Sequence, residues 1–476
     1  MDRRAFLKTS GAGLAGLAIT SCGGKAGSSS TNLSLNTGVF NRPFNTPPEL
    51  LGTIDPATGN KVFNLSMQTG TQRFTGGGVT NTMGINGSYL GPTLRVTQGD
   101  VLNLNVTNQI GQETTLHWHG MRPPSDMDGG PHQIIAPNTT WNAAYTVNQQ
   151  ASTNWYHPHP HGTTARQVYA GLAGMMIVDD AVSAGLSLPS TYGKDDFPVV
   201  VQDRDMNADG TFAYSVTNME IQQGKKGNTL LVNGVIDPVL DVPAKEVRFR
   251  LLNGSNSRIY TFQLGGGIVF KQIATEQGLL STPVSLTSIT MSPGERAEIV
   301  VDFAGLVGQG ILFQDAGTGI SLFKANVVAN TLAVTTTPTT LATLTPLQRN
   351  QAVGTRQFIL SMGQGKVYIN NKQMNINVID ETMVLNDIEI LDIQNTSNMD
   401  HNFHIHGAFF QLLTRDSGLP KAYETGLKDT VYLPANSRVE AIVQYSQATV
   451  AGAPYMYHCH ILEHEDAGMM GQFTVA

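Results

Sequence analysis

Histidine is the residue type whose placement in this sequence most clearly indicates chemistry. Six of the 12 histidines lie between His117 and His161, six lie between His401 and His464, and the long stretch between these groups has none. Ten of them form tight clusters, namely His117-Trp118-His119, His157-Pro158-His159, His401-Asn402-Phe403-His404-Ile405-His406 and His458-Cys459-His460 with His464. Neutral imidazole binds Cu(II) well and a thiolate holds Cu(I), so the clusters predict copper sites.

The spacing of these residues suggests how the metals are shared. Alternate side chains of a β-strand lie on the same face, so a His-x-His pair can present both rings to one metal cluster. In His458-Cys459-His460 the same alternation turns Cys459 away from its two neighbours. The thiolate can then bind one copper while the flanking imidazoles bind others, which leaves a covalent path one residue long between two metal sites.

Two ligand sets follow from this spacing. Cys459, His464 and Met469, with His401 from a neighbouring strand, form the His₂Cys set with a weak axial methionine that is typical of a blue-copper centre. Met470 is the alternative axial ligand. The other eight clustered histidines form four His-x-His pairs, which suit three coppers bound by three, three and two imidazoles.

A structural role and a zinc site are the other interpretations of the histidines, and both fit less well. One His-x-His pair is more often structural, but four pairs beside a flanked cysteine are not explained that way. A structural zinc site uses four ligands and usually more cysteines, and this chain has only Cys22 and Cys459. We interpret His132 and His161 as non-ligands, although His161 could pair with His159 in place of His157.

The elements that carry the clusters are predicted to be β-strands. Only 14% of the residues are charged, 50 are glycine and 22 are proline, and short alternating strands bounded by turn residues recur along the chain. We predict β-domains over residues 37–180, 197–330 and 356–476, with a histidine-free middle domain. The formal charge of −7 and the lack of a basic cluster exclude a nucleic-acid partner and favour a small molecule or metal ion.

Residues 1–36 are predicted to direct export and tether the protein. Arg3-Arg4 precedes a short apolar stretch as in a twin-arginine signal, and Ile19-Thr20-Ser21-Cys22 resembles a bacterial lipobox. The stretch is too short to span a bilayer. We therefore expect a periplasmic protein with a lipid anchor at Cys22, and a cleaved soluble protein is the alternative.

The four clusters resemble the copper-binding motifs of the laccase-like multicopper oxidases. His117-Trp118-His119-Gly120, Trp155-Tyr156-His157-Pro158-His159, His401-x-x-His404-x-His406-Gly407 and His458-Cys459-His460-x-x-x-His464-x-x-x-x-Met469 carry the resemblance, which extends along nearly the whole chain. Asp128-Gly129-Gly130-Pro131 and Glu463 to Met470 are similar to the bacterial copper-efflux, or cuprous oxidase, branch.

The resemblance implies an all-β fold of three consecutive cupredoxin-like Greek-key β-sandwiches, with the middle one a spacer, and four copper ions. It implies a type 1 copper at His401, Cys459, His464 and Met469, and a type 2 copper at His117 and His404. It implies a type 3 pair at His119, His157, His159, His406, His458 and His460. Asp128 and Glu465 match positions that line proton paths, so the candidate catalytic residues are Cys459, His458, His460, Asp128 and Glu465.

The expected function is a monomeric oxidase that couples four one-electron oxidations to the reduction of dioxygen to water. The donors are phenols, other organic molecules or Cu(I); the alternatives are a dedicated periplasmic cuprous oxidase, a copper-storing protein and a non-catalytic scaffold like the cell-division homologue that has lost its copper. A methionine-rich insertion of the copper-efflux branch is absent, so we expect a more open type 1 site. Met362 and Met399 lie near donor-binding positions of that branch but are more often core residues.

Overall fold

The computed structural model describes residues 34–476 of the chain. The predicted twin-arginine motif and lipobox, including Cys22, lie outside the described residues. No helix within residues 34–476 combines the length and the apolar character that crossing a membrane requires.

The described chain consists mainly of short strands. The first ten are β1 (Arg42–Pro43), β2 (Glu49–Leu50), β3 (Thr53–Ile54), β4 (Lys61–Gln72), β5 (Thr80–Ile85), β6 (Thr93–Thr97), β7 (Val101–Gln109), β8 (Thr140–Thr146), β9 (Ser152–Tyr156) and β10 (Gly174–Asp179). The next eleven are β11 (Asp196–Arg204), β12 (Thr229–Val232), β13 (Pro238–Pro243), β14 (Glu246–Asn253), β15 (Tyr260–Leu264), β16 (Phe270–Thr275), β17 (Gly278–Leu286), β18 (Ser288–Met291), β19 (Arg296–Asp302), β20 (Gly310–Asp315) and β21 (Ser321–Val328). The last ten are β22 (Gly354–Gly363), β23 (Lys366–Ile369), β24 (Glu381–Met383), β25 (Ile388–Asn395), β26 (His401–Ile405), β27 (Phe410–Arg415), β28 (Thr430–Leu433), β29 (Arg438–Gln444), β30 (Tyr455–His458) and β31 (Met470–Val475).

The strands form three successive units with two sheets each. The first unit (β2–β10) has sheets ordered β2-β6-β10-β9 and β3-β4-β7-β8, with β5 paired to β4. The middle unit (β11–β21) has β1-β13-β21-β20-β15-β18 and β12-β11-β14-β19-β16-β17, and the third unit (β22–β31) has β23-β22-β25-β29-β27 and β24-β31-β30-β26-β28. Each unit encloses its own apolar core, as expected of stacked sheets whose alternate residues point inward. The all-β prediction of three cupredoxin-like sandwiches is confirmed.

The start of the described chain packs on the middle unit rather than on the first. Strand β1 pairs in parallel with β13, and the Asp237 carboxylate accepts hydrogen bonds from the Thr37 and Gly38 backbone at 2.6 and 3.0 Å. The predicted domain boundaries remain a prediction, but the first residues of the range 37–180 belong structurally to the middle unit.

Four short α-helices lie between the strands of residues 34–476. They are α1 (Thr164–Ala170), α2 (Ala181–Ala184), α3 (Asn218–Gln223) and α4 (Leu462–Asp466). Helix α3 begins with a capping box, in which the Thr217 hydroxyl accepts from the Glu220 N–H and the Glu220 carboxylate accepts from the Thr217 N–H. Helix α4 carries His464 and packs against both α1 and α3, so segments of all three units meet beside this histidine.

Candidate metal centre

Strand alternation separates the cysteine from its neighbours, as the sequence predicts. The Cys459 side chain lies in the apolar core of the third unit. His458 and His460 are fully buried on the opposite face, where they meet histidines of the first unit. The same pattern places Trp118 in the core of the first unit and turns His117 and His119 toward the third. The copper-binding candidates of both chain ends therefore converge at one interface.

One group of three imidazoles is formed by His159, His406 and His458. The His458 Nε2 atom lies 3.1 Å from His159 Nε2 and 3.2 Å from His406 Nε2. One nitrogen from each of the three rings lies within 4.8 Å of the other two, which is close enough for the rings to share one metal ion.

A second group consists of His119, His157 and His460. Their ring centroids are 4.9 Å (His119–His460), 5.2 Å (His157–His460) and 5.6 Å (His119–His157) apart. His119 Nδ1, His157 Nε2 and both ring nitrogens of His460 are buried without a hydrogen-bond partner. Buried polar atoms are rarely left unpaired, so these nitrogens are suited to bind metal. The ligand atoms of His119 and His157 also lie within 4.8 Å of one another and of a His117 nitrogen.

His117 and His404 complete the histidine centre. His117 Nε2 and His404 Nε2 are also buried and unpartnered, while the Nδ1 atom of each ring contacts a backbone carbonyl. Each ring stacks at 3.8 Å on a member of another group, His117 on His406 and His404 on His119. Burial disfavours the charged form of imidazole and is the largest cause of a lowered pKa in seven of these eight rings. A lowered pKa keeps a ring neutral, as metal binding requires. The seven are His119, His157, His159, His404, His406, His458 and His460.

A separate set surrounds Cys459. The Sγ atom lies 3.6 Å from both His401 Nδ1 and His464 Nδ1, and these two nitrogens are 3.1 Å apart. Met469 is fully buried, and its backbone bonds to that of Cys459 and His464. Because Met470 pairs with His458 across the β30–β31 ladder, the preceding Met469 shares the face of Cys459. The set fits a metal with a thiolate, two imidazoles and a thioether.

The two predicted acids are buried beside the histidine groups but differ in character. Asp128 Oδ2 lies 2.7 Å from His406 Nδ1; burial opposes its ionisation, but His117 and His406 outweigh burial and hold its pKa well below the ordinary value. Glu465 lies 3.4 Å from His159 Nδ1 and 3.3 Å from His458 Nδ1, and burial followed by the nearby Asp466 raises its pKa well above the ordinary value. Neither acid is a solvated loop carboxylate: the surroundings of Asp128 favour its ionised form, and those of Glu465 favour its protonated form.

Sequence analysis missed Asp429, which is buried in the same centre. Its Oδ1 atom lies 3.1 Å from His119 Nε2, and its backbone carbonyl lies 2.9 Å from His404 Nδ1. It stands just before β28 in an unremarkable Lys-Asp-Thr sequence, so no local signal marks it. Only the pairing of β26 with β28 brings it to the histidines.

The remaining sequence-predicted residues lie outside these groups. Among residues 34–476, neither His132 nor His161 belongs to a metal-sized group: His132 Nε2 contacts Gln472 Oε1 at 2.8 Å and His161 is exposed. Met362 packs against the core of the third unit, and the Met399 carbonyl accepts hydrogen bonds from Asn395 and Ser397.

The expectation of a more open cysteine site stays a prediction, and within this structure helix α3 lies over the site. His464 is fully buried, and its outer Nε2 atom lies 3.0 Å from the Gln222 carbonyl at the end of α3. Burial lowers the His464 pKa to about 4, so the neutral ring donates this hydrogen bond and leaves Nδ1 facing Cys459.

Residues 66–183 and 336–476 each match a family model described as multicopper oxidase. The multicopper oxidase mco of Staphylococcus haemolyticus is 35% identical over 432 residues, which cover 90% of this chain and 91% of that protein. The cell division protein FtsP of Escherichia coli is 33% identical over 491 residues, covering 100% of this chain and 99% of that protein.

Solved structures give the same result. A bacterial laccase-like multicopper oxidase, CueO, from Ochrobactrum sp. superposes with a TM-score of 0.86 at 36% identity, covering 91% of this chain and 100% of that one. A multicopper oxidase from Pediococcus acidilactici gives a TM-score of 0.85 at 33% identity and covers 91% of each chain. Since the likeness spans nearly the whole described chain, this protein belongs to the multicopper oxidase family and is an oxidoreductase of that family.

Proposed function

We propose that this enzyme couples four one-electron oxidations of a small donor to the four-electron reduction of dioxygen to water. The observation that carries the proposal is that eight buried histidines converge beside a separate cysteine set. Cys459 of that set is adjacent in sequence to two of these histidines, His458 and His460. A copper-storing protein needs no such link between two different ligand sets, whereas an oxidase must move electrons from one to the other.

The ligand sets correspond to the four copper ions of the family. His401, Cys459, His464 and Met469 would hold type 1 copper, His117 and His404 type 2 copper, and the groups His159–His406–His458 and His119–His157–His460 the type 3 pair. Copper bound there supplies the one-electron redox chemistry. The peptide segment from His458 to His460 joins the sets covalently.

The two acids have different tasks in this proposal. Asp128 stays ionised and orients His406 through Nδ1, which leaves His406 Nε2 directed toward His458. Glu465 lies beside His159 and His458, its Oε2 atom makes no hydrogen bond, and its raised pKa favours the protonated form, so it is placed to deliver protons to reduced oxygen. Reduction of dioxygen to water consumes four protons, and a buried acid near the site shortens their path.

The cover formed by α3 favours a small donor such as Cu(I) over a bulky phenol. The Gln222 carbonyl already occupies the outer nitrogen of His464, so a phenol cannot hydrogen-bond directly to that atom. Met219, one helical turn from Gln222, is 64% exposed, and its thioether is a soft ligand suited to Cu(I). The Ochrobactrum relative acts on lignin model compounds, which supports phenols as the competing donor class.

The deciding experiment is oxygen uptake by copper-loaded protein with Cu(I) and with a phenol as parallel donors. We expect an intense blue absorption band, uptake with both donors and a higher kcat/KM for Cu(I). Copper loading without a blue band or oxygen uptake would contradict the proposal and favour the scaffold function suggested by the FtsP relatives.

A variant of α3 tests the donor preference. Thr217→Ala removes the helix cap, and because such a cap contributes about 1 kcal/mol, local opening of α3 should increase about 5-fold. We expect kcat/KM for the phenol to rise several-fold while that for Cu(I) changes little. Ser183→Ala in α2 is the matched control, because this serine takes part in a capping box whose hydrogen bonds stay within residues 180–186. Equal phenol rates in Thr217→Ala and wild type would argue against a covering role.

His404→Ala tests the histidine centre separately from the cysteine site. We expect the blue band to persist and oxygen uptake to fall by at least about 100-fold, because the change removes a ring of the oxygen-reducing centre and leaves Cys459, His401 and His464 intact. His132→Ala is the control, since this side chain contacts Gln472 and none of the histidine groups. Normal oxygen uptake by His404→Ala would refute its assignment.

For the cellular setting we propose export by the twin-arginine route to the periplasm, a lipid anchor at Cys22 and a monomeric state. The sequence features of residues 1–36 support the first two proposals. Labelling by a radioactive fatty acid that disappears in Cys22→Ala would test the anchor, and unchanged labelling would contradict it.

A further inference from the structure

The middle unit, which contributes no histidine, reaches into the histidine centre through the loop before β19, and Gln277 of the same unit also donates to the Asp429 carboxylate. Gly294 precedes β19 in this loop and has a φ of +84°, and a Cβ atom placed on it would lie 3.0 Å from the His460 ring and 3.2 Å from the His119 ring. Glycine therefore allows the loop backbone to pack directly on two imidazoles, one from each flanking unit.

Arg296, at the start of β19, links all three units. It is buried and donates hydrogen bonds to Thr153 O at 2.9 Å in the first unit and to Gly294 O at 3.0 Å in its own. Its two terminal nitrogens donate to the Asp429 carboxylate of the third unit at 2.7 and 2.6 Å. The planar guanidinium holds such a carboxylate in one orientation, which a single-point cation cannot do.

Asp429 transmits this orientation to two histidines of different units. Its side chain contacts His119 Nε2, and its carbonyl contacts His404 Nδ1. The nitrogens left unpaired are His119 Nδ1 and His404 Nε2. The Arg296–Asp429 pair thus determines which nitrogen of each ring is free for a metal.

A second contact from the same loop supports the third unit. Asn402 donates to Ser292 Oγ at 3.1 Å and to Pro293 O at 2.8 Å. Its Oδ1 atom accepts from the His460 N–H at 2.6 Å and from Cys459 Sγ at 3.5 Å. The loop of residues 292–296 is therefore connected, through the Asn402 side chain, to the backbone that joins the two ligand sets.

We infer that the middle unit positions the oxygen-reducing centre, with Arg296 acting through Asp429 as a positioning residue for His119 and His404. The inference rests on the proposed function, since it concerns the copper centre assigned there. None of the hydrogen bonds that Arg296 donates goes to a histidine; it acts by holding the carboxylate that orients the rings.

The test compares Arg296→Met with Arg250→Met in copper-loaded protein. Arg250 is also a buried arginine of the middle unit, paired with Asp196 and Glu298, but it contacts no histidine. For Arg296→Met we expect the blue band to persist, the bound copper to fall below four ions per chain, an altered electron paramagnetic resonance signal of the remaining type 2 Cu(II), and oxygen uptake reduced at least about 10-fold. For Arg250→Met we expect a lower Tm with copper content and resonance signal unchanged.

Gly294→Ala and Asp429→Asn cover the case in which Arg296→Met fails to fold. Both are small changes, and both should alter the same resonance signal while the blue band remains. Four coppers, a wild-type signal and normal uptake in these variants would overturn the inference. Failure of wild-type protein itself to bind copper or consume oxygen would instead overturn the proposed function, so the two failures are distinguishable.

Discussion

Replacing Cys459 with serine is expected to abolish the blue colour and to reduce oxidase turnover by at least about 1,000-fold. The thiolate is the strongest ligand of its set, and a serine hydroxyl neither binds copper in that way nor gives the same covalent electron path to His458 and His460. Absorption spectroscopy and oxygen uptake of the copper-loaded variant measure both effects. The change is nearly isosteric in the core of the third unit, so the fold should survive.

The control for Cys459→Ser is Ser437→Ala, which also alters one buried polar side chain of the third unit. The Ser437 hydroxyl donates its hydrogen bond to the Pro434 carbonyl and to no residue of either ligand set. It should keep the colour and the turnover. Bound copper in Cys459→Ser should remain at the histidine centre, which places the defect at the cysteine site. A blue band or full turnover without this thiol would refute the assignment.

Copper-free protein is expected to lose several kcal/mol of unfolding free energy between pH 7 and pH 5. Nine buried histidines have a lowered pKa, first because of burial: His119, His157, His159, His401, His404, His406, His458, His460 and His464. They stay neutral when folded, whereas the unfolded chain takes up protons below about pH 6.5. Stability is therefore complete above that pH and decreases as pH falls toward the folded pKa values, about 4 for His464 and about 3 for His406.

The size of this loss of unfolding free energy depends on how many buried groups lower stability as the pH falls and how many raise it. For His464 alone the loss by pH 5 is about 2 kcal/mol. Four buried carboxyls with raised pKa act in the opposite direction, but the histidines outnumber them; the carboxyls are Glu276, Glu463, Glu465 and Asp466. Because whole domains are stable by only about 5–15 kcal/mol, the net loss should be visible as a steep fall in Tm.

Urea unfolding and Tm measured from pH 7 to pH 5 check this expectation. His464→Asn, which removes one of the nine rings, should have a shallower pH dependence than wild type. Copper-loaded protein should have the higher Tm at every pH, because the metal binds the folded state. A flat profile in copper-free protein would contradict buried neutral imidazoles.

Local sequence pattern was sufficient to predict the strands and the ligand clusters. Alternation along His458-Cys459-His460 predicted that Cys459 would face away from its neighbours, and β30 with its continuation places it so. The segment from Val101 to Val106 likewise lies within β7. These features depend on residues only a few positions apart, and over that distance the alternation of side chains along a strand can be recognised directly in the sequence.

Features that depend on distant segments could not be predicted in this way. Arg296 and Asp429 are 133 positions apart, and each is unremarkable in its own sequence. Gln222 contacts His464 through its backbone carbonyl, and because every residue has such a carbonyl, the residue type gives no indication of this contact. The absence of an insertion suggested a more open site, and no local residue pattern predicts that α3 packs against α4.

The convergence of both chain ends has a consequence for biosynthesis. His159 and His458 are separated by 299 positions yet share one group, so a nascent chain cannot assemble the metal centre until its last strands have been synthesised and docked. Partly folded chains then present only isolated His-x-His pairs, which hold metal weakly compared with a closed group. Only a completely folded molecule can therefore bind all of its copper ions. A truncated or misassembled molecule cannot bind them and has no redox activity.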